Sequence, residues 1–328
     1  MTTPQSPNPR RVLMLGATGT IGKATTRALA ARGHEVTCLV RPGRDRPRDL
    51  PAGVDLRPCD VTDPAALARD GIRGERFDAL VSCLASRTGS PKDAWAIDHK
   101  AHSDALAAAR DAGVGQVVLL SAICVQKPLL EFQKAKLAFE EELIGSGLTY
   151  SIVRPTAFFK SLSGQVERVR QGKPFLLFGD GALTACKPIS DDDLGAYMAD
   201  CLDDESRRNK VLPIGGPGPA ITPREQGEEL FRLLGREPKF RSVPVGMMDA
   251  IIAVLGALGK VSPRMRDKAE FARIGRYYAT ESMLVLDPAT GRYDADATPE
   301  TGTETLYDFY ARLVRGDAHV DLGEHAMF

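Results

Sequence analysis

No stretch of this 328-residue chain is long and apolar enough to span a bilayer, which takes roughly 18 to 20 uninterrupted residues. The nearest, Val243 to Leu258, is broken by Pro244, Gly246, Asp249 and Gly256. It reads first as a helix of the core or of a pocket wall, with weak association at a membrane surface as the other reading. Net charge is missing too: Lys plus Arg and Asp plus Glu both number 43. A nucleic-acid binder should carry a basic surplus or stripe, so no nucleic-acid partner is expected. The six cysteines (Cys38, Cys59, Cys83, Cys124, Cys186, Cys201) contain no CxxC pair. Several sit in apolar runs, where a thiol behaves as a small hydrophobe, so they read as free and structural. His99 and His102 form the one close histidine pair and read as a surface feature, with no metal site expected. Met1 to Arg10 has neither the apolar run of a signal peptide nor the Arg/Ser-rich length of a transit peptide, and reads as a disordered tail. With the free thiols, this points to a cytoplasmic protein.

The first half alternates strand and helix patterns, as a parallel α/β sheet requires. Strands are expected at Arg11 to Leu15, Glu35 to Val40, Val54 to Pro58, Asp78 to Cys83, Gln116 to Leu120 and Leu148 to Val153. Helices are expected at Thr20 to Ala31, Trp95 to Ala112 and Glu131 to Ile144, joined by the short gaps that βα units prefer. After Pro155 the pattern loosens. Thr222 with Glu225 three residues on is a capping box, and Val245 to Leu258 and Arg264 to Ile274 read as later helices. The fold class is therefore α/β: a doubly wound Rossmann sheet over 11–163, and a smaller C-terminal substrate-binding part over 164–328. From that part, Asp191 to Leu202 is expected to return to the main sheet.

Strand Val12 to Leu15 runs straight into Gly16-Ala17-Thr18-Gly19-Thr20-Ile21-Gly22. A GxxGxxG run means little alone; between a strand and a helix it marks a dinucleotide site. Gly16 allows the tight turn, Gly19 lets the backbone approach the pyrophosphate, and Gly22 lets the helix pack close. The helix start then faces the phosphates with N–H groups and its positive dipole end. An NAD-specific fold usually ends its second strand on an acid that holds the ribose hydroxyls. Here that strand ends Leu39-Val40-Arg41, followed by Arg44, Arg46 and Arg48. A guanidinium suits a 2′-phosphate, so NADPH is the expected cofactor and Arg41 its reader. Asp60 and Val61 are expected beside the adenine, and Ser82, Cys83 and Leu84 beside the central riboses; the other reading of Asp60 is a helix cap before Asp63-Pro64.

This order of elements resembles the short-chain dehydrogenase/reductase superfamily, which works with a Ser after the fifth strand and a Tyr-x-x-x-Lys on the next helix. Ser121 ends the fifth strand here, and the helix carries Phe132-Gln133-Lys134-Ala135-Lys136. The lysine matches; the tyrosine is Phe132. A phenyl ring donates no proton, so ordinary carbonyl reduction with a tyrosine acid is disfavoured. Lys136 is expected at the nicotinamide ribose and is a candidate proton donor, while Lys134 reads as solvated. Arg154-Pro155-Thr156 resembles the segment flanking the nicotinamide, with Pro155 redirecting the chain.

Further stretches resemble the NADPH-dependent divinyl chlorophyllide 8-vinyl-reductase family: Leu120 to Leu129 running on to Phe139, Val243 to Asp249, Ala272 to Met283, and Thr298 to Leu306. The resemblance implies an oxidoreductase reducing a vinyl group of a magnesium-containing tetrapyrrole to ethyl, in chlorophyll or bacteriochlorophyll synthesis. A bacterial form at the edge of a photosynthetic membrane would fit the missing transit peptide. Phe132, Phe158, Phe159 and Met247 are expected to line an apolar slot for the flat ring. Lys136, Tyr277, Tyr278 and water are the candidate proton sources, with Ser121 nearby. Two alternatives stay open: a non-catalytic NADP(H)-binding regulator of the NmrA-like kind, and another atypical reductase of a smaller conjugated substrate.

Overall fold

A computed structural model describes Ser6, residues 8–43 and residues 49–320. Arg44, Arg46 and Arg48 lie outside the described residues, as does most of the expected N-terminal tail. The described part of that tail is tied down: the Ser6 N–H donates to Arg32 O (2.8 Å) and its hydroxyl to Asp203 (3.0 Å).

Seven strands make the central sheet: β1 (Arg11–Leu15), β2 (Glu35–Val40), β3 (Asp55–Pro58), β4 (Ala79–Ser82), β5 (Gln116–Leu120), β6 (Thr149–Pro155) and β8 (Lys210–Ile214). Their order is β3-β2-β1-β4-β5-β6-β8. Pairings from β3 through β6 are all parallel, as βαβ crossovers demand. Near-continuous Val/Leu runs fit strands covered on both faces: Val12 to Leu15 are at most 1% exposed. The order turns back on itself between β1 and β4, and a doubly wound sheet binds its ligand at the carboxyl ends of the strands beside that point.

β8 was not expected from the sequence. It is short, carries Pro213 and begins exposed, which an edge strand tolerates because proline removes a donor only on the open side. The expected helix Trp95 to Ala112 is broken into Pro91–Ala94, a π-helical stretch Trp95–Ala101 and an α-helix His102–Asp111.

The chain divides into two compact units. The first holds the described residues of Met1–Thr88, Lys92–Pro155 and Asp191–Leu212; the second holds Gly89–Pro91, Thr156–Ser190 and the described part of Pro213–Phe328. In the first, helix Asp191–Asp200 lies against helix Thr20–Ala31, with Arg32 paired to Asp200 at 2.5 Å. The second unit has its own core. β7 (Phe175–Phe178) pairs in parallel with β9 (Phe240–Val243), and Phe240 stands edge-on to Phe175 and Phe231. The expected capping box starts helix Pro223–Leu233, and fully buried Tyr310 donates to Leu162 O at 2.6 Å.

Candidate cofactor and reduction site

The glycine turn follows β1 at the end where that strand is paired with β4. Gly16 has φ +74°, and a Cβ there would lie 2.5 Å from the Cys83 carbonyl carbon and 2.6 Å from Leu84 N. The turn and the segment after β4 are thus pressed backbone to backbone. A Cβ on Gly22 would lie 2.0 Å from Gly16 O, so Gly22 lets the helix start directly on the turn. Gly19 is different. A Cβ there would meet only Gly16 O at 3.5 Å, an ordinary contact, so nothing inside the chain requires glycine at that point. Thr18 and Gly19 are exposed, whereas the Ile21 side chain is buried. No side chain caps helix Thr20–Ala31 and no acid stands in its first turn, so its positive end is not neutralised from within. An uncapped helix start beside a bare glycine backbone fits a pyrophosphate.

Arg41 is exposed just past β2. The Asp60 carboxyl is held below its ordinary range chiefly by hydrogen bonds from the Thr62 hydroxyl (2.7 Å) and Thr62 N–H (3.0 Å), with Arg41 adding a smaller pull. Asp60 therefore works as a local turn cap and stands within the field of Arg41. Val61 and Leu84 are partly buried against the sheet core.

Ser82, at the end of β4, is 1% exposed, and its oxygen lies 2.8 Å from His102 Nε2. His102 Nδ1 lies 2.9 Å from the Ile97 carbonyl, which can only accept. Burial first, and Lys136 second, push the imidazole down to about 4, so it is neutral at physiological pH. Nδ1 then carries the proton and Nε2 accepts from the Ser82 hydroxyl. The surface role expected for His102 is corrected: it is 2% exposed and stacks 4.7 Å from Phe139. His99, half-buried, remains near the surface.

Helix Glu131–Gly145 brings in Lys136. Gln133, fully buried, accepts from Leu130 N–H (2.9 Å) and donates to Cys124 O (3.0 Å), which locks the helix onto the loop after β5. Lys134 is exposed and pairs with Glu131. Phe132 is half-buried one turn before Lys136. The Lys136 ammonium lies 3.0 Å from Asp98 Oδ1, on side chains 12% and 0% exposed. Ser121 donates its hydroxyl proton to Glu140, which Arg154 holds as an ion pair. Asp98, His102, Ser121, Lys136 and Phe139 line one narrow crevice beyond β5.

Sequence reasoning missed Asp98, Glu140 and His102. For Glu140 a faint signal exists: it is an acid one helical turn after Lys136, where an apolar residue should face the sheet. Pro155 is buried at the end of β6. The other expected residues belong to the second unit. Phe159 is 2% exposed against Phe309 (5.3 Å between ring centroids) and packs that unit's core. Phe158 is half-buried, Met247 is 50% exposed, and Tyr277 is 3% exposed with its ring edge-on to Tyr278. All six cysteines are free. Among the described residues, no three His, Cys, Asp or Glu side chains are grouped to hold a metal, and no helix is long and apolar enough to cross a membrane.

Residues 16–205 match a family model described as NAD(P)H-binding. The chain is 54% identical to a chloroplastic divinyl chlorophyllide a 8-vinyl-reductase of Oryza sativa subsp. indica, over 98% of this chain and 83% of that protein. It is 51% identical to the Arabidopsis thaliana protein of the same name, over 98% of this chain and 81% of that one. Among solved structures, an NADPH-dependent quinone oxidoreductase from Escherichia coli, complexed with NADPH, superposes with a TM-score of 0.64 at 18% identity. That alignment covers 93% of this chain and 99% of the other, and shows the fold alone. Both plant relatives are named chloroplastic, which overturns the expectation of a bacterial cytoplasmic protein.

Proposed function

The chain belongs to the divinyl chlorophyllide a 8-vinyl-reductase family, and from that premise we infer that it reduces the 8-vinyl group of divinyl chlorophyllide to ethyl. It is an NADPH-dependent oxidoreductase acting on a carbon–carbon double bond in chlorophyll synthesis. Identity above one half over nearly the whole chain carries this reading. When bound, NADPH supplies the hydride. The glycine turn and the start of helix Thr20–Ala31 would hold its pyrophosphate, Arg41 its 2′-phosphate, Ser82 to Leu84 its central riboses, and Lys136 its nicotinamide ribose. Phe132 supports an alkene substrate over a ketone, because it gives an apolar wall where carbonyl chemistry would need an acid. Lys136 holds the proton that completes the reduced ethyl group. The same chemistry serves chlorophyll and bacteriochlorophyll intermediates alike.

The test is optical. Purified protein with NADPH and 3,8-divinyl chlorophyllide should shift the Soret band to the blue as the conjugated vinyl is lost. Tight NADPH binding with no shift would sink the reading and favour the regulator.

A weak association with a membrane surface belongs to the same proposal, since the substrate is a lipophilic ring. Helix Val245–Gly259 supports it: Met247, Ile251, Val254 and Leu258 are all exposed, and Val261, two residues past its end, is 86% exposed. Lys260, Arg264, Arg266 and Lys268 follow, all exposed. An apolar helix with cations at one end suits an anionic lipid surface. Co-sedimentation with phosphatidylglycerol vesicles, lost in Val254→Asp, is the expected result; equal sedimentation of the variant would remove the helix from that role.

A further inference from the structure

Two buried carboxylates stand beside the two side chains of the crevice that carry a transferable proton. We infer that Asp98 and Glu140 are positioning residues that decide which of the two gives it up. Asp98 holds Lys136 as an aimed ammonium, and Glu140 takes the Ser121 hydroxyl out of the donor role. The inference rests on the reductase reading above.

Glu140 acts by occupation. It is 1% exposed, and the Arg154 Nε–H lies 3.3 and 3.2 Å from its two oxygens, in addition to the closer ion pair through Nη2. A carboxylate paired to a guanidinium only accepts. The Ser121 hydroxyl has one proton and gives it to Glu140. With that proton engaged, the Ser121 oxygen can only accept from any further partner. In a carbonyl reductase that serine should donate to the substrate oxygen; a vinyl group has no oxygen, and the donor is not needed.

Asp98 acts by orientation. It lies in the π-helical stretch Trp95–Ala101, and the extra residue in that turn re-aims side chains that a regular α-helix would point elsewhere. Oδ1 takes the Lys136 ammonium at 3.0 Å and the Ser86 N–H at 3.2 Å, while Oδ2 has no hydrogen-bond partner. A buried carboxylate left half-satisfied is costly, and the ammonium is its one counter-charge within ion-pairing distance among the described residues. His102 faces the same ammonium but stays uncharged, so it neither competes for Asp98 nor repels Lys136.

The step then balances. Hydride adds to one vinyl carbon, and the π pair moves to the other carbon and into the macrocycle. An N–H bond of Lys136 breaks as the second C–H bond forms. The resulting amine, still beside Asp98, takes a proton from solvent, so one hydride and one proton enter per turnover.

The experiment compares variants of the full chain in the optical assay, with NADPH affinity read separately by cofactor fluorescence. Lys136→Ala should lose at least about a hundredfold in kcat and recover part of it with added methylamine. Ser121→Ala should lose only about tenfold and gain nothing from the amine. Asp98→Asn should lose about ten- to a hundredfold in kcat with NADPH affinity held within about threefold, and Asp98→Glu should restore part of the loss. Ser121→Ala as damaging as Lys136→Ala, or no amine rescue, would overturn the donor assignment. Full kcat in Asp98→Asn would remove Asp98 from its role. If Asp98→Asn does not fold, Asp98→Glu decides instead: its carboxylate is displaced, and a kcat equal to wild type would equally remove Asp98 from its role. Wild-type protein that never shifts the Soret band fails the reductase reading instead, before any variant is compared.

Discussion

At position 132 a phenyl ring occupies the place of an acid, and the proposed donor one helical turn on, Lys136, carries its protons on nitrogen. The neutral imidazole of His102 lines the same crevice as Lys136, and it has a cost that can be measured. Its ordinary value is 6.5 and its folded value about 4. Between those two values the unfolded chain binds a proton that the folded chain does not, so stability falls as pH drops from about 6.5 toward 4. The fully buried ring should cost about 2 kcal/mol at pH 5 relative to pH 7.5, on the order of 1.4 kcal/mol per unit of separation. Urea denaturation at the two values reads the loss directly. His102→Gln keeps a donor and an acceptor at that point without titrating, and should remove the His102 share of the slope, leaving that of His34, which burial also lowers; an unchanged slope would place the titrating group elsewhere.

One scale up, β1, the glycine turn and helix Thr20–Ala31 form a single device whose glycines do different work. Gly22→Ala drives a Cβ to 2.0 Å from Gly16 O, so it should lower the stability of the cofactor-free protein by about 1–3 kcal/mol or more. Gly19→Ala meets nothing closer than 3.5 Å and should leave the cofactor-free melting temperature unchanged while weakening NADPH binding at least about tenfold. Melting curves with and without NADPH separate the two; a Gly19→Ala protein that binds NADPH normally would move the pyrophosphate off this turn. This device was legible in the sequence because everything that defines it is local, a strand, a turn and a helix within consecutive residues. Asp98 was not legible. Its partner Lys136 is on another helix, and Asp98 itself lies in a π-helical stretch, which no periodicity announces. The pairing of β7 with β9 was equally hidden, since two four-residue strands so far apart carry no signal until the chain closes on itself. β8 was hidden by its proline and by its shortness.

Across the whole molecule, 43 basic and 43 acidic side chains cancel, so no net field draws an anionic cofactor toward the protein. Affinity for NADPH must then come from a few local groups, and discrimination against NADH from fewer still. Arg41 is the one cation of its segment among the described residues, and it is exposed, so its contribution is modest and screened by salt. NADPH at a hundred times its Kd should stabilise the protein by about 2.7 kcal/mol. For a unit of this size that is a rise of about 5–10 °C in Tm. NADH at the same concentration should give less. Arg41→Ala should weaken NADPH binding about tenfold, bring the NADPH-induced rise down to that of NADH, and leave the NADH value in place. Raising the salt should narrow the gap between the cofactors in the wild type and do nothing to it in the variant. If the gap survives in Arg41→Ala, the 2′-phosphate is read by another cation, and the end of β2 does not set cofactor choice.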